Sequence, residues 1–382
     1  MPVRVDVHPD VLMWATERSG RDLGDIAERF PHFNDWLRGS RRPTLRQLEQ
    51  FAKATHAPLG ALLLPEPLSE PLPVPDFRTM PDAETERPSV DLLDTIFLCE
   101  QRQEWYREFA RSSGQEALPL VGSLSLATPV PEAAQALQDA LDFGVDERAY
   151  MPRWSDALTA LIERAESAGV LVMVSGIVGG NTHRALDPQE FRGFAVVDEL
   201  APVIFVNGAD TKAAQIFTLA HELAHVWLGQ SAVSSANLVR PENHEVERWC
   251  NAVAAEFLVP MNSFRDDFNR NQPLDQQLRR LARRYKVSTL VVLRRVLDAG
   301  YIDRPTYEDA FEDELRRVLA VIRESEGGNY YNTQPYRTSR RFARAIVEST
   351  LEGQTLHRDA FRLLGFKKFS TFEGLREHLG IH

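Results

Sequence analysis

The sequence has little cysteine. Cys99 and Cys250 are the only two in 382 residues, they lie far apart, and neither belongs to a Cys-x-x-Cys pair. That argues against a disulfide framework or an all-cysteine metal site and fits a reducing cytoplasm. Long apolar runs are missing too. The N-terminus, MPVRVDVHPDVLMW, holds no uninterrupted apolar core of signal-peptide length, and every later apolar run is broken by charge well before about 18 residues. The expectation is a soluble, cytoplasmic chain. There is also no excess of positive charge: 44 Lys and Arg against 55 Asp and Glu leave a formal net charge of -11. A whole-surface nucleic-acid binder is disfavoured, whereas a local basic face remains open. No internal repeat or low-complexity tract is present.

What is there suffices for a sizeable core: 43% of the residues are hydrophobic, and a chain of this length divides most naturally into two or three units. Residues 10 to 64 read as short helices, with apolar spacing at Val11, Leu12 and Ala15, then Leu23, Ile26 and Ala27, then Leu45, Leu48, Phe51 and Ala52, the last set capped by Thr44. Prolines at 65, 67, 71, 73, 75, 81 and 88 predict an extended linker over 65–88. Helices are expected at 89–112, 131–143 and 155–168. Short β-branched runs at 170–175, 194–197 and 203–206 then predict a small sheet. Helix returns over 212–228 and 246–258, the latter ended by Pro260, and again over 276–299, 306–325 and 340–351, with a break at GGNYYN, 327–332.

The chemistry concentrates in TLAHELAHVWLG. His221 and His225 are four residues apart, so a helix of 3.6 residues per turn presents both imidazoles on one face, where two ligands can grip one ion. Glu222, beside the first of them, is placed to accept a proton from a water held by that ion, the role of a general base. Apolar neighbours from Phe217 to Leu228 suit a buried site. A catalytic zinc usually takes three protein ligands and leaves the fourth position open. The metzincin arrangement would need glycine at 228 and histidine at 231, where this chain has Leu228 and Ser231, so a downstream carboxylate is the remaining option. The next helix offers Glu245, Glu247 and Glu256; Glu247 is favoured because it lies near the helix start and shares a face with Asn251, and Glu245 is the alternative. His244, His183 and Tyr285 are candidate stabilisers of a tetrahedral oxyanion, each set against the plainer role of a surface or packed ring.

HELAH at 221–225 together with ExxCNAVAAEFLVP at 247–260 resembles the ImmA/IrrE family of metallo-endopeptidases. The resemblance implies that His221, His225 and Glu247 bind one zinc ion per chain and that Glu222 is the base. It further implies a protein substrate: a repressor, antitoxin or other regulatory protein of a phage-related, toxin-antitoxin or stress circuit. The expected fold is α+β, mainly helical, with a gluzincin-like catalytic domain, a small sheet behind the two zinc helices, and helical domains on either side.

The expected division is 1–64, 65–88 (linker), 89–275 (peptidase), 276–326 (helical extension) and 327–382 (C-terminal helices). Residues 1–64 are similar to the Xre-type helix-turn-helix domain that often precedes this peptidase, through GDIAERF and DWLRGSRRPTLRQLEQFAKATHAPLGALLL, although Ala27 to Trp36 is too short for a second helix, a turn and a recognition helix of ordinary length. Nine basic groups against eight acidic ones over 1–65 give no clear phosphate-binding excess. The local cluster Arg38, Arg41, Arg42 and Arg46 is the candidate contact for DNA or a partner protein. Residues 279–302, rich in arginine and similar to the helical unit that follows the zinc helices in this family, are read as a bundle with a charged outer face rather than a DNA reader. Arg340, Arg341 and Arg344 are weighed between a partner surface and a solvated helix face. The competing function is a non-proteolytic regulator that binds DNA or a toxin and uses zinc to hold its fold.

Overall fold

The computed structural model describes residues 3–70, 88–234, 245–322 and 337–381. They form two units, the first of 3–70 with 88–96 and the second of the described residues from 97 onward. The expected linker falls largely on 71–87 and the GGNYYN break on 327–332, both outside the described residues.

In the first unit the apolar triplets become α1 (Pro9–Arg18), α2 (Leu23–Arg29) and α4 (Leu45–Thr55), with a five-residue α3 (Phe33–Leu37) between the last two. Thr44 caps α4 in a full capping box with Gln47, as the side-chain chemistry of Thr-x-x-Gln dictates. The second and third helices are indeed short. Their packing comes from rings rather than length: Phe30, Phe33, Trp36 and Phe51 meet at centroid distances of 5.5 to 6.3 Å around Leu12, Ile26 and Leu48. Arg18, almost wholly enclosed, joins Glu70 and Asp94, each at 2.7 Å, and donates to the carbonyl of His56. α5 (Val90–Ser112) contributes its first turns to this unit and the rest to the second.

The second unit holds a four-stranded sheet in the order β1-β3-β2-β4, made of β1 (Leu171–Ser175), β2 (Gly193–Val196), β3 (Val203–Asn207) and β4 (Ala232–Ser234). β1 and β3 are parallel, and β2 runs antiparallel to both β3 and β4. The expected three strands are present within a residue or two; β4, only three residues long, lacks the length to announce itself in sequence. Burial on both faces explains why the runs do not alternate with polar residues. Val172, Ala195, Ile204 and Val206 join the main core, while Phe194 and Phe205, cross-strand partners, stack at 5.1 Å.

α8 (Trp154–Ser167) and α9 (Lys212–Leu228) pack on the sheet, and α10 (Glu245–Leu258) lies against α9 and α6 (Val130–Leu141). α7 (Val145–Tyr150), α11 (Met261–Asp267), α12 (Leu274–Tyr285), α13 (Thr289–Asp298) and α14 (Arg304–Ile322) extend the same core. The single helix expected over 276–299 is thus two, broken where Lys286 turns left-handed and Ser288 caps α13. Lys286 and Arg295 are buried, so two of the basic residues counted for an outer face over 279–302 belong to the interior. α15 (Arg340–Leu351), α16 (His357–Leu364) and α17 (Phe369–His378) close the chain. Arg341 donates to Tyr106 Oη and Arg344 to the Leu379 carbonyl, which commits these two guanidinium groups to the chain itself. Both cysteines are buried, and burial pushes the Cys99 thiol up to about 12. Among the described residues no helix is long and apolar enough to cross a membrane.

Candidate metal centre

α9 begins at Thr211, whose hydroxyl accepts from Ala214 N, and ends at Gly229 with φ of 74°. Gly229 has a second reason to be glycine, since a Cβ there would stand 2.9 Å from Gly122 Cα. The segment passing over this end is pinned by Gly122 N to the Val226 carbonyl and Leu124 N to the Trp227 carbonyl. Every residue of α9 from Gln215 to Leu228 is buried. The HELAH text therefore sits on a helix held rigidly between the sheet and α10.

His221, His225 and Glu222 are each 0% exposed and Glu247 is 1% exposed. His221 Nε2 lies 3.1 Å from Glu247 Oε2, His225 Nε2 lies 3.0 Å from Glu247 Oε1, and the two Nε2 atoms are 3.2 Å apart. A tetrahedral ion with bonds of roughly 2.0–2.1 Å would hold its donor atoms about 3.3 Å from one another. Two imidazole nitrogens and a carboxylate converging at these separations fit a divalent metal, and among the described residues theirs is the group placed to hold one.

The surrounding residues orient the donors. Asn251, one turn beyond Glu247 on α10, brings its Oδ1 to 3.0 Å from His221 Nδ1. The Nδ1–H donates there, so the Nε2 lone pair is left facing His225 and Glu247, the arrangement that outer partners usually give metal-binding histidines. Burial lowers the pKa of His225, against the pull of Glu247, so its imidazole stays neutral and able to ligate. Burial alone would raise the Glu247 carboxyl, but the adjoining His221 and His225 outweigh it and hold the group well below the ordinary carboxylate range.

The Glu222 carboxylate approaches β2 of the sheet. A Cβ built on Gly193 of β2 would stand 3.1 Å from Glu222 Oε1, 2.5 Å from Thr218 Cγ2 and 2.9 Å from the Phe205 carbonyl oxygen. Gly193 is therefore the residue that lets the Glu222 carboxylate lie against the strand. Sequence reading passes over it, because a glycine at the start of a strand run looks like a boundary; its signal is its pairing with Val206 inside the sheet.

The remaining candidates scatter. Glu245 is exposed at the start of α10, and Glu256 is paired with the buried guanidinium of Arg295 while accepting from Met261 N at 3.0 Å. Tyr285 is fully buried, and its hydroxyl donates to Asp267 Oδ2 at 2.6 Å. His183 lies exposed on the turn after β1, its backbone N–H held by Asn181 Oδ1. His244 is outside the described residues. Arg38, Arg41, Arg42 and Arg46 all belong to the first unit and are exposed, with Arg42 paired to Asp6 and Arg41 donating to the His32 ring.

Among curated proteins, none matches the chain. Residues 338–378, which hold α15 to α17, match a domain of unknown function, DUF8813. Residues 165–297, from the end of α8 through the sheet, α9, α10 and α13, match the peptidase M78 family, described as the IrrE N-terminal-like domain, and this part of the chain is similar to metallopeptidases of the ImmA/IrrE type.

Proposed function

We propose that the chain is a zinc-dependent endopeptidase of the ImmA/IrrE type that cuts a regulatory protein, with His221, His225 and Glu247 holding one zinc ion and Glu222 as general base. The observation that carries it is the convergence of three buried donors at 3.0 to 3.2 Å, with the fully buried Glu222 following His221 in the chain. When bound, zinc supplies a Lewis acid that acidifies water and polarises a carbonyl. The Glu222 carboxylate takes the proton of the attacking water and returns it to the departing amine nitrogen, so its charge is restored at the end of the cycle. Asn251 keeps His221 in the ligating tautomer throughout. Of the oxyanion candidates, Tyr285 already donates its hydroxyl hydrogen bond to Asp267 and His183 is on an exposed turn; the proposal keeps His244, three residues before Glu247 in sequence.

A non-proteolytic regulator with a structural zinc site is the competing reading. A structural site needs nothing at position 222, where this chain buries a glutamate completely. The Xre-like helices of the first unit serve, in this proposal, to recruit the substrate or a partner, with Arg38, Arg41, Arg42 and Arg46 as the contact. The test is purified protein with Glu222→Gln: about one zinc per chain should remain while cleavage of a co-expressed partner disappears. Cleavage undiminished in that variant would refute the enzyme reading.

A further inference from the structure

α9 and α10 each carry part of the buried donor group, so the group holds together only while the two helices keep their spacing. Donor atoms of such a site must be held to within about 0.5 Å. Residues 118–128 form no helix or strand, yet backbone bonds hold them at intervals along their length. Leu118 N donates to the Glu199 carbonyl at 2.8 Å, Gly122 N to the Val226 carbonyl at 3.1 Å and Leu124 N to the Trp227 carbonyl at 2.9 Å. Val226 and Trp227 directly follow His225, and their carbonyls stand in the last turn of α9, where helical N–H donors run out. Gly122, at φ of 66°, crosses Gly229 so closely that the latter has no room for a side chain.

The same segment reaches α10. Trp249, a buried residue of the main core, donates its Nε1–H to the Thr128 carbonyl at 3.0 Å. It stands two residues beyond Glu247, about 3 Å along the helix axis and about 200° round it. This bond therefore restrains α10 from a face other than the one that carries the ligand. Pro129 then leads into α6, which packs against α10. One short segment thus fastens the end of α9 that bears His225 to the start of α10 that bears Glu247, through a side chain that is not itself one of the three donors.

Taking the zinc site of the proposed function as given, we propose that residues 118–128 are a clamp that sets α10 on α9, with Trp249 as a positioning residue for Glu247. One indole hydrogen bond is a small part of a core of this size, so its removal leaves the fold standing. Its effect is on where the Glu247 carboxylate waits. With the clamp closed, the three donors already stand at 3.0 to 3.2 Å from one another before an ion arrives, and binding spends nothing on bringing the helices together.

The experiment measures the zinc affinity of the full chain by competition with a chelating dye, together with the visible absorption of the chain loaded with cobalt(II), whose bands report coordination geometry. Trp249→Phe keeps a ring in place and removes the N–H; it should bind zinc about fivefold more weakly, or worse, and alter the cobalt bands. Trp154→Phe is the control. Its indole donates to the Val287 carbonyl at 3.2 Å and ties α8 to the turn before α13, so its loss should lower the melting temperature comparably while zinc affinity and cobalt bands stay as in the parent chain. Gly122→Ala puts a side chain on a backbone at φ of 66° at the other end of the clamp. It should weaken zinc as well, and it decides the matter if Trp249→Phe does not fold. Parent-like affinity in the deciding variant, or equal weakening in Trp154→Phe, overturns the clamp and leaves the zinc reading intact. A parent chain that binds no zinc overturns both.

Discussion

Gly193→Ala is the sharpest test of how the centre is built. The added methyl would stand 2.5 Å from Thr218 Cγ2 and 2.9 Å from the Phe205 carbonyl oxygen, and the latter belongs to the β2–β3 ladder and cannot swing aside. Overpacking of this kind costs about 1–3 kcal/mol. Replacing glycine by alanine also stiffens the unfolded chain, which opposes that loss by about 0.4–1 kcal/mol. The net expectation is destabilisation of about 1–2 kcal/mol, read as a lower urea midpoint at unchanged slope. Thr218→Ser removes the nearest methyl, so the double variant should regain part of the loss. Relief by moving Glu222, whose Oε1 is 3.1 Å from the new methyl, would displace the proposed base. A shift of about 1 Å lowers turnover on the order of a hundredfold. A single variant as stable and as active as the parent chain would refute the close approach of α9 to β2.

Three further outcomes follow from the same geometry. Asn251→Ala removes the acceptor that fixes the His221 tautomer, and competition with a chelating dye should show zinc affinity about 10- to 100-fold weaker, with the fold intact by circular dichroism. Glu256→Gln takes from the buried Arg295 guanidinium the nearer of its two carboxylates, leaving Asp298 at 3.5 Å and the Val259 carbonyl; chemical denaturation should register a loss of about 1.5–3 kcal/mol, and the added change Arg295→Met should restore part of it. Glu166, which accepts from Ser339 Oγ and Arg340 N, has its carboxyl raised by burial, partly offset by the Ser339 hydroxyl and neighbouring backbone donors. The folded chain therefore keeps that proton to higher pH than the unfolded one. Its contribution is complete below the unfolded value, near about 4.3, and is lost as pH rises through the raised folded value. Stability measured against Glu166→Gln over a pH series should show the difference moving against the parent chain as pH climbs; a flat difference would refute the assignment.

The sequence by itself determined whatever depends on local spacing. His221 and His225 belong together because a helix returns to the same face every four residues, and the helix 212–228 holds its expected bounds because Thr211 and Gly229 punctuate it. The three longer strands were legible from β-branched runs, and the capping of α4 from Thr44. The motif resemblance reached Glu247, and the matched span 165–297 covers the same two helices.

Tertiary structure alone decided what lies between elements. Convergence of Glu247 on the two histidines is a matter of how α10 packs on α9, as is the contrast with Glu256, which the same helix hands to Arg295. Tyr285 reads as a free phenol in sequence and is spent on Asp267, eighteen residues away. The role of Gly193 has no local signature, because its neighbours Thr218 and Glu222 come from a helix two elements later in the chain. Periodicity reports which face of an element is apolar; it carries no information on which distant side chain that face will meet, and every one of these contacts is of that second kind.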